Sequence, residues 1–268
     1  MGELSFKTLI AIEDSGMSDR VQLLLCGYRM AEELKRPFGF IWVPSSWCGA
    51  SFDDLFVKRA DFEVFDHDPC PKREILDFHA TYWPLVKLVM DSMDRGFANW
   101  KFHAYPQWHD TKDFGENGLI DFRPEIKEAA LDIVPRLVNA IGVHIRGTDY
   151  RHKMPPLETY REAIDAFPAN RPIFIASDES ELKRELANYY GDRAIVRNPF
   201  GFNRSDREAT IDGAVDLYLL RRCRSLVYSA YSGFSRLAIR GRQIPELPGC
   251  SIGENPWTGI GCIGDNQL

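Results

Sequence analysis

The sequence predicts an α/β protein in which a parallel β-sheet is wrapped by helices. Short apolar runs alternate with stretches of helical period between residues 141 and 239, and this alternation is typical of parallel sheets. A strand, a helix and a second strand also open the chain, over residues 8–43. With 268 residues, of which 44% are hydrophobic, the chain is long enough for one large domain or two of ordinary size.

The first half begins with a predicted strand–helix–strand unit. Residues 8–12 form a short apolar strand, and residues 20–34 repeat apolar side chains with the period of a helix that packs on one side. Pro37 ends this helix, because its ring removes an amide donor and clashes with the preceding turn. Residues 38–43 form the second strand.

Residues 45–118 have a less regular pattern, with helices predicted at 52–59 and 82–95. A further helix, residues 124–138, is expected to be kinked or ended early by Pro135. Because the pattern alternates cleanly after this helix, we expect the helix to lead out of the first half.

The second half alternates strands and helices. Its order is a strand at 141–146, a helix at 157–167, a strand at 172–176, a helix at 179–190, a strand at 194–196, a helix at 209–222, a strand at 225–229 and a helix at 233–239. Crossovers through helices join parallel strands. We therefore predict two domains, residues 1–137 and residues 138–268.

The composition excludes several classes of protein. The net charge of −6 and the pI of about 5.6 argue against nucleic-acid binding, which requires a cationic surface. Residues 1–7 lack the layout of a secretory signal, and apolar runs such as residues 21–26 are too short to cross a bilayer. We therefore expect a cytoplasmic protein without a transmembrane segment.

Metal and disulfide sites are not expected. The six cysteines are scattered without close pairs, which predicts reduced structural thiols. Asp66, His67 and Asp68 lie in an irregular stretch with no second ligand cluster, so a turn is predicted there. Residues 259–264 match the glycine spacing of a dinucleotide motif but lack its preceding strand and following helix, so we reject the match.

The most informative motif is residues 143–149, an apolar strand that ends in polar residues. Alternation along this strand places its isoleucine and valine side chains on a buried face and His144 and Arg146 together on the other. Ligands of open α/β sheets bind beyond the carboxyl ends of the strands, where a guanidinium can bind phosphate through two hydrogen bonds. Arg146 is therefore a candidate diphosphate ligand; the alternative is an arginine paired with a surface carboxylate.

A second candidate is the turn before the last predicted helix. Ser232 stands at the N-cap position, and Gly233 and its successors offer backbone N–H groups at the positive end of the helix dipole. By itself, a serine–glycine pair predicts only a capped helix. Arg146 belongs to the same predicted sheet, and this favours an anion site that includes both.

Two carboxylates need partners. Asp216 lies in a strongly apolar helix and is expected to bind a purine with two adjacent N–H donors, to pair with an internal arginine such as Arg221 or Arg222, or to lie on the exposed side. Asp178, with Glu181 three residues later, resembles a helix-capping pair; a contact with a sugar hydroxyl is the secondary interpretation.

Together these segments resemble the fucosyltransferase superfamily, which includes the bacterial nodulation α-1,6-fucosyltransferases and the protein O-fucosyltransferases. The resemblance rests on residues 144–149 and 212–236, in the same order and with the same separation. Residues 16–20 are similar to a diverged form of the family's first glycine-rich loop, and residues 48–56 to the stretch after its second strand.

The resemblance implies two Rossmann-like domains that face a cleft, the GT-B arrangement of glycosyltransferases. Residues 1–137 are then expected to bind the acceptor and residues 138–268 the nucleotide-sugar donor. The resemblance also implies an inverting, metal-independent reaction with no cofactor, in which a GDP-sugar is the donor and a glycan is the acceptor, as in polysaccharide biosynthesis. Arg146 would neutralise the donor diphosphate, and His144 and Asp216 would help to hold guanine. The remaining donor-binding residues would be Asp178, Ser232, Gly233, Ser235 and Arg236.

Two departures from the family's pattern leave alternatives open. Gly147 and Tyr150 stand where the α-1,6 enzymes carry basic residues, so donor affinity is expected to fall or to depend on Arg151 or Arg236. The acid that some relatives use as a general base is not clearly present. The candidates are Asp149, Glu158, Glu13 and Asp14.

Three hypotheses follow. The first is a transferase that moves fucose from a GDP-sugar to a glycan. The second keeps the fold but uses another nucleotide sugar. The third is a non-catalytic protein that binds nucleotides or glycans on the same scaffold.

Overall fold

A computed structural model describes residues 8–11, 15–33, 35, 37–67, 75–78, 99–102, 114–116, 118–148, 152, 154–199, 201–239 and 260–263. The chain divides into two compact units. One contains the described residues up to Arg123 together with Asn203–Thr210, and the other contains those of Pro124–Phe202 and those from Ile211 onwards. The assignment of acceptor binding to residues 1–137 and donor binding to residues 138–268 stays a prediction.

The first unit contains the predicted strand–helix–strand motif. Its strands are β1 (Thr8–Ala11), β2 (Phe38–Ile41), β3 (Phe56–Lys58), β4 (Glu63–Phe65), β5 (Ile75–Phe78), β6 (Asn99–Phe102) and β7 (Ile120–Phe122). Helix α1 (Met17–Glu33) joins β1 to β2, and β1, β2 and β4 form a parallel sheet in that order. Strand β3 pairs antiparallel with β7, and β5 pairs parallel with β6.

The helix predicted at residues 52–59 is wrong in its second half. Helix α2 (Phe52–Leu55) is capped by Ser51, whose hydroxyl accepts a hydrogen bond from the amide of Asp54, and the chain then becomes extended at Phe56. The ring of Phe56 packs 5.8 Å from that of Phe122, so pairing with β7 overrides the local helical pattern. The predicted helix at 82–95 lies outside the described residues.

The second half of the chain follows the predicted alternation closely. Its elements are α3 (Pro124–Glu128), β8 (Ile141–Ile145), α4 (Leu157–Asp165), β9 (Ile173–Ser177), α5 (Ser180–Tyr190), β10 (Ala194–Val196), α6 (Arg207–Arg222), β11 (Ser225–Ser229), α7 (Gly233–Ile239) and β12 (Ile260–Ile263). The sheet order is β10-β9-β8-β11-β12, and only the β11–β12 pair is antiparallel. The rejected dinucleotide match therefore covers β12, a strand.

The helix predicted at residues 124–138 is wrong in length. Helix α3 ends at Glu128, and a separate 3-10 helix, Val134–Leu137, follows a turn. Pro135 stands near the start of the 3-10 helix, where its missing amide hydrogen removes no helical bond.

Strand β8 lies at the centre of its sheet and is buried on both faces. Ile141, Val143 and Ile145 belong to a core that includes Leu157 of α4 and Leu186 of α5. His144, on the opposite face, is buried as well, so the expectation that it emerges with Arg146 is wrong. All five residues of β8 are buried, whereas Arg146, directly after the strand, is partly exposed.

Two further observations concern the described residues alone. None of their helices combines the length and the hydropathy that a bilayer crossing requires. Cys26, Cys48, Cys223 and Cys262 are buried free thiols, as predicted for reduced cysteines; Cys70 and Cys250 lie outside the described residues.

Candidate functional site

The candidate site lies where three neighbouring strands end. Strand β8 pairs in parallel with β9 on one side and β11 on the other. Arg146 follows β8, Asp178 follows β9, and the turn to α7 follows β11. Ligands of open α/β sheets bind at such carboxyl ends.

Arg146 is held at this edge through its side chain and its main chain. Its Nη1 lies 3.0 Å from Oδ2 of Asp178, and both side chains are 17% exposed. Its amide donates to the hydroxyl of Ser229 at 2.9 Å, and the hydroxyl of Tyr231 donates to its carbonyl oxygen at 2.8 Å. The backbone that carries the guanidinium is therefore held by hydrogen bonds at both its amide and its carbonyl group.

Asp178 organises the turn that follows Arg146. Its carboxylate accepts hydrogen bonds from the amide of Gly147 at 2.7 Å and from the hydroxyl of Thr148 at 2.8 Å. The predicted capping pair with Glu181 is wrong, because α5 has Glu179 at its N-cap and no capping side chain. A carboxylate gains more from a guanidinium and turn amides than from a single helix amide.

Gly147 stands close to two side chains of the neighbouring helix. A Cβ atom there would lie 2.7 Å from both Oε2 of Glu179 and Cδ1 of Leu182, the ends of two flexible side chains. The second basic residue that the resemblance places at this position would therefore require both side chains to move.

His144 contacts the first turn of α7. Its Nδ1 lies 2.7 Å from Oγ of Ser235, and its ring stacks on Phe234 with centroids 4.7 Å apart. Burial lowers the pKa of His144 to about 4; the charge of Asp178 opposes this change, and that of Arg146 adds to it. The structure thus brings His144 and Ser235 together, with the imidazole neutral at pH 7.

The remaining residues of α7 take their predicted places. The helix begins at Gly233 and has seven residues, and the carbonyl of Ser232 accepts from the amide of Arg236 at 3.1 Å. Ser232 is buried, and its amide donates to the carbonyl of Ser229 at 3.1 Å. The contacts of Ser232 and of the α7 residues with a donor stay predictions.

Two hydroxyls of the site, those of Ser229 and Tyr160, were not predicted from the sequence. Oγ of Ser229 lies 2.7 Å from the hydroxyl of Tyr160, and burial raises the pKa of Tyr160. In the sequence, Tyr160 belongs to the apolar stripe of α4 and resembles a core residue. The position of Ser229 was a usable signal, because the serine closes a strand next to the Arg146 strand.

Asp216 lies in a different cluster. Its Oδ1 accepts from Nη1 of Arg197 at 2.8 Å, so an internal arginine is its partner. The partner is neither Arg221, whose Nη1 donates to the carbonyl of Leu237, nor Arg222, which lies over the ring of Tyr218. The contact between Asp216 and guanine stays a prediction.

Most of the candidate general bases lie in parts of the chain that are not described. Asp149, Glu13 and Asp14 lie outside the described residues, as does Arg151. The side chain of Glu158 is 68% exposed and lies 3.6 Å from Arg161.

The acidic turn at residues 66–68 has no metal-site geometry in its described part. Asp66 and His67 are exposed and contact each other at 2.7 Å. The described residues contain no group of three or more ligands that could hold a metal ion. Metal independence stays a prediction.

The loop at residues 16–20 is similar to the family's first glycine-rich loop. Hydrogen bonds from the side chain of Arg20 hold it in place. Its Nε donates to the carbonyl of Ser15 at 3.0 Å, and its Nη2 donates to Oγ of Ser45 at 2.7 Å. The side chain is fully buried and lies over Trp42. Arg20 therefore joins two loops of the first unit.

Solved structures with the same fold include several fucosyltransferases. NodZ α-1,6-fucosyltransferase soaked with GDP-fucose matches with a TM-score of 0.63 and 17% identity, over 97% of this chain and 99% of that one. The chain has a fucosyltransferase-like fold. The resemblance inferred from residues 144–149 and 212–236 is confirmed at the level of the fold.

Two further matches extend this fucosyltransferase-like fold. Arabidopsis thaliana FUT1, a mutant in complex with GDP, matches with a TM-score of 0.58 and 14% identity, over 98% of this chain and 74% of that one. POFUT1 in complex with GDP-fucose matches with a TM-score of 0.54 and 13% identity, over 90% and 96%. No protein-family model and no curated protein matches the sequence.

Proposed function

We propose that the chain is an inverting, metal-independent glycosyltransferase that transfers fucose from GDP-fucose to a glycan acceptor. The observation that best supports this proposal is the Arg146–Asp178 pair, which lies where the neighbouring strands β8, β9 and β11 end. The fold supports the proposal, because solved structures that share it contain GDP or GDP-fucose.

Arg146 would act on the leaving group. The departing nucleoside diphosphate gains negative charge in the transition state, and a guanidinium already in place stabilises that charge without a reorganisation cost. The hydrogen bond that the Arg146 amide donates to Ser229 and the one that its carbonyl accepts from Tyr231 fix the Arg146 main chain beforehand. Asp178 compensates the charge of the half-buried guanidinium until the donor arrives.

The two compact units would be the two Rossmann-like domains of a GT-B enzyme. The first would bind the glycan acceptor and the second the donor, through the residues predicted above. Asp149 is proposed as the general base that takes the proton of the acceptor hydroxyl. A cytoplasmic role in polysaccharide biosynthesis is part of the same proposal.

A thermal-shift panel with GDP, UDP, ADP and CMP tests the donor class, and a hydrolysis assay with GDP-fucose tests the reaction. GDP should raise the melting temperature most, and GDP-fucose should be hydrolysed slowly even without an acceptor. Stabilisation by none of the four nucleotides contradicts the proposal. Binding of GDP with no turnover in any condition favours the non-catalytic alternative.

A second candidate, a transferase with another nucleotide sugar, is favoured by one observation. Oδ1 of Asp216, predicted to bind guanine, already accepts a hydrogen bond from Arg197. An engaged carboxylate oxygen keeps a second lone pair, but the fixed guanidinium of Arg197 narrows the directions from which guanine's N–H donors can approach it. Stabilisation by UDP alone in the same panel supports this candidate.

A further inference from the structure

Tyr160 carries a hydroxyl where packing of the core requires only an apolar ring. It lies on the inward face of α4, flanked along the helix by Leu157 and Ile164, and all three belong to the same buried cluster. The residue is completely buried. A buried hydroxyl is costly unless it is hydrogen-bonded, so the oxygen of Tyr160 is expected to serve a specific partner.

The partner is Ser229, at the end of β11. The register of paired residues between β8 and β11 ends at His144 and Tyr228. Beyond this pair, the hydroxyl of Ser229 accepts a hydrogen bond from the amide of Arg146 at 2.9 Å. Oγ of Ser229 also lies 2.7 Å from the hydroxyl of Tyr160. Side chains therefore continue the contact between the two strands up to the candidate site.

The direction of each hydrogen bond follows from the number of protons, because a hydroxyl has one proton and two lone pairs. Ser229 donates its proton to the carbonyl oxygen of His144 at 3.3 Å. Tyr231 donates its proton to the carbonyl oxygen of Arg146 at 2.8 Å. The proton of Tyr160 is therefore the one that Oγ of Ser229 accepts, beside the proton of the Arg146 amide.

Tyr160 also contacts the tyrosine that binds the carbonyl group of Arg146. Burial raises the pKa of Tyr231, and hydrogen bonding with the hydroxyls of Ser229 and Tyr160 opposes this rise. The three hydroxyls thus form one group, with Ser229 at the amide of Arg146 and Tyr231 at its carbonyl group. Within this group, Tyr160 contacts both of the others from helix α4.

We propose that Tyr160 is a positioning residue for donor binding. Its hydroxyl fixes Ser229 and Tyr231, and these two fix the main chain that presents the Arg146 guanidinium at the end of β8. The proposal rests on the proposed function, since it takes Arg146 to bind the donor diphosphate. A displacement of this main chain moves the whole guanidinium, and paired contacts with a diphosphate tolerate little misalignment.

Calorimetry of the full chain with GDP tests the proposal through Tyr160→Phe, which removes one oxygen and keeps the ring. GDP affinity should fall about tenfold, the equivalent of one buried hydrogen bond. Tyr190→Phe is the matched control, because the hydroxyl of Tyr190, in the same core cluster, donates to Oδ1 of Asp165 at 3.1 Å. The control should lose a similar free energy of unfolding in denaturant titration and bind GDP as the unsubstituted chain does. Equal losses of GDP affinity in the two variants overturn the proposal.

A double-mutant cycle separates positioning from a general loss of stability. If Tyr160 acts through Arg146, Tyr160→Phe should have no further effect on GDP affinity once Arg146→Ala has removed the guanidinium. The double variant should therefore bind GDP as weakly as Arg146→Ala does. A further loss of about tenfold in the double variant overturns the proposal, because Tyr160 then acts independently of Arg146.

The possible failures are distinguishable. Unchanged GDP affinity in a folded Tyr160→Phe variant overturns the positioning role and leaves the proposed function intact. If the unsubstituted chain does not bind GDP, the proposed function fails, and the positioning role fails with it. If circular dichroism shows that Tyr160→Phe does not fold, Ser229→Ala takes its place in the same cycle, with the same expected and contradicting results.

Discussion

Arg20 in the first unit and Arg146 in the second both lie next to the carboxyl end of a parallel strand, but they are held differently. Arg20 is fully buried, and its three nitrogens donate to Ser15, Val43 and Ser45. Arg146 remains 17% exposed and pairs with Asp178. The comparison separates an arginine that joins loops from one that can also reach a ligand.

The largest expected effect is the loss of Arg20. Arg20→Met leaves buried carbonyl and hydroxyl oxygens without a donor, so the free energy of unfolding should fall by about 3 kcal/mol or more in denaturant titration. Arg29→Met on the same helix breaks an exposed pair with Glu32 and should cost about 0.5 kcal/mol or less. Equal stability of the two variants would remove the structural role of Arg20.

Arg146→Ala should weaken nucleotide binding rather than folding. GDP affinity in calorimetry should fall about a hundredfold, since a charge-assisted bidentate contact is lost, while the circular dichroism spectrum stays unchanged. Arg146→Lys keeps the charge without the fork and should lose about tenfold. An unaltered affinity in the alanine variant would end the donor-site assignment.

Asp178→Ala tests the link between the pair and its turn. The side chain of Arg146 and the amide of Gly147 lose a charged partner, so the free energy of unfolding should fall by about 2 kcal/mol. Glu181→Ala is the matched control, because this exposed residue was the predicted capping partner and should have almost no effect. Similar losses in both variants would restore the capping interpretation.

The smallest effect at neutral pH concerns His144. The folded chain holds its pKa at about 4, against an ordinary value of 6.5, so the unfolded chain binds the proton first as pH falls. The stability that neutral His144 contributes is complete above about pH 6.5 and is lost progressively towards pH 4. Unfolding titrations between pH 7 and pH 5 should show a flatter slope in His144→Asn.

His67→Asn serves as the control for this slope. The side chain of His67 is exposed and contacts its neighbour Asp66. This substitution measures how much the loss of an exposed histidine changes the slope between pH 7 and pH 5. If the free energy of unfolding of His144→Asn depends on pH as that of the unsubstituted chain does, another group causes the loss of stability at acidic pH.

The second half of the chain was predictable because its pattern is local. Strands β10 and β11 and helix α7 have the predicted bounds, since period and flanking turns depend on neighbouring residues. The first half was predictable in its opening strand–helix–strand unit but not at β3, where Val57 pairs with Asp121, because contacts across such a separation leave no trace in a short window.

The site was predictable in part. The motif at residues 143–149 located Arg146, and the turn at Ser232 located the adjacent helix. The partners were not predictable from spacing, because Asp178 and Arg197 reach Arg146 and Asp216 only through the folded sheet and its helices.

The sequence by itself determined the alternation of strands and helices, the strand that ends in Arg146 and the resemblance to fucosyltransferases. The tertiary structure decided which carboxylate pairs with which cation, and which side chains crowd Gly147. The physical reason is that periodicity follows from the local geometry of the backbone, whereas an ion pair depends on which strand ends become neighbours. That order is set by packing across the whole sheet.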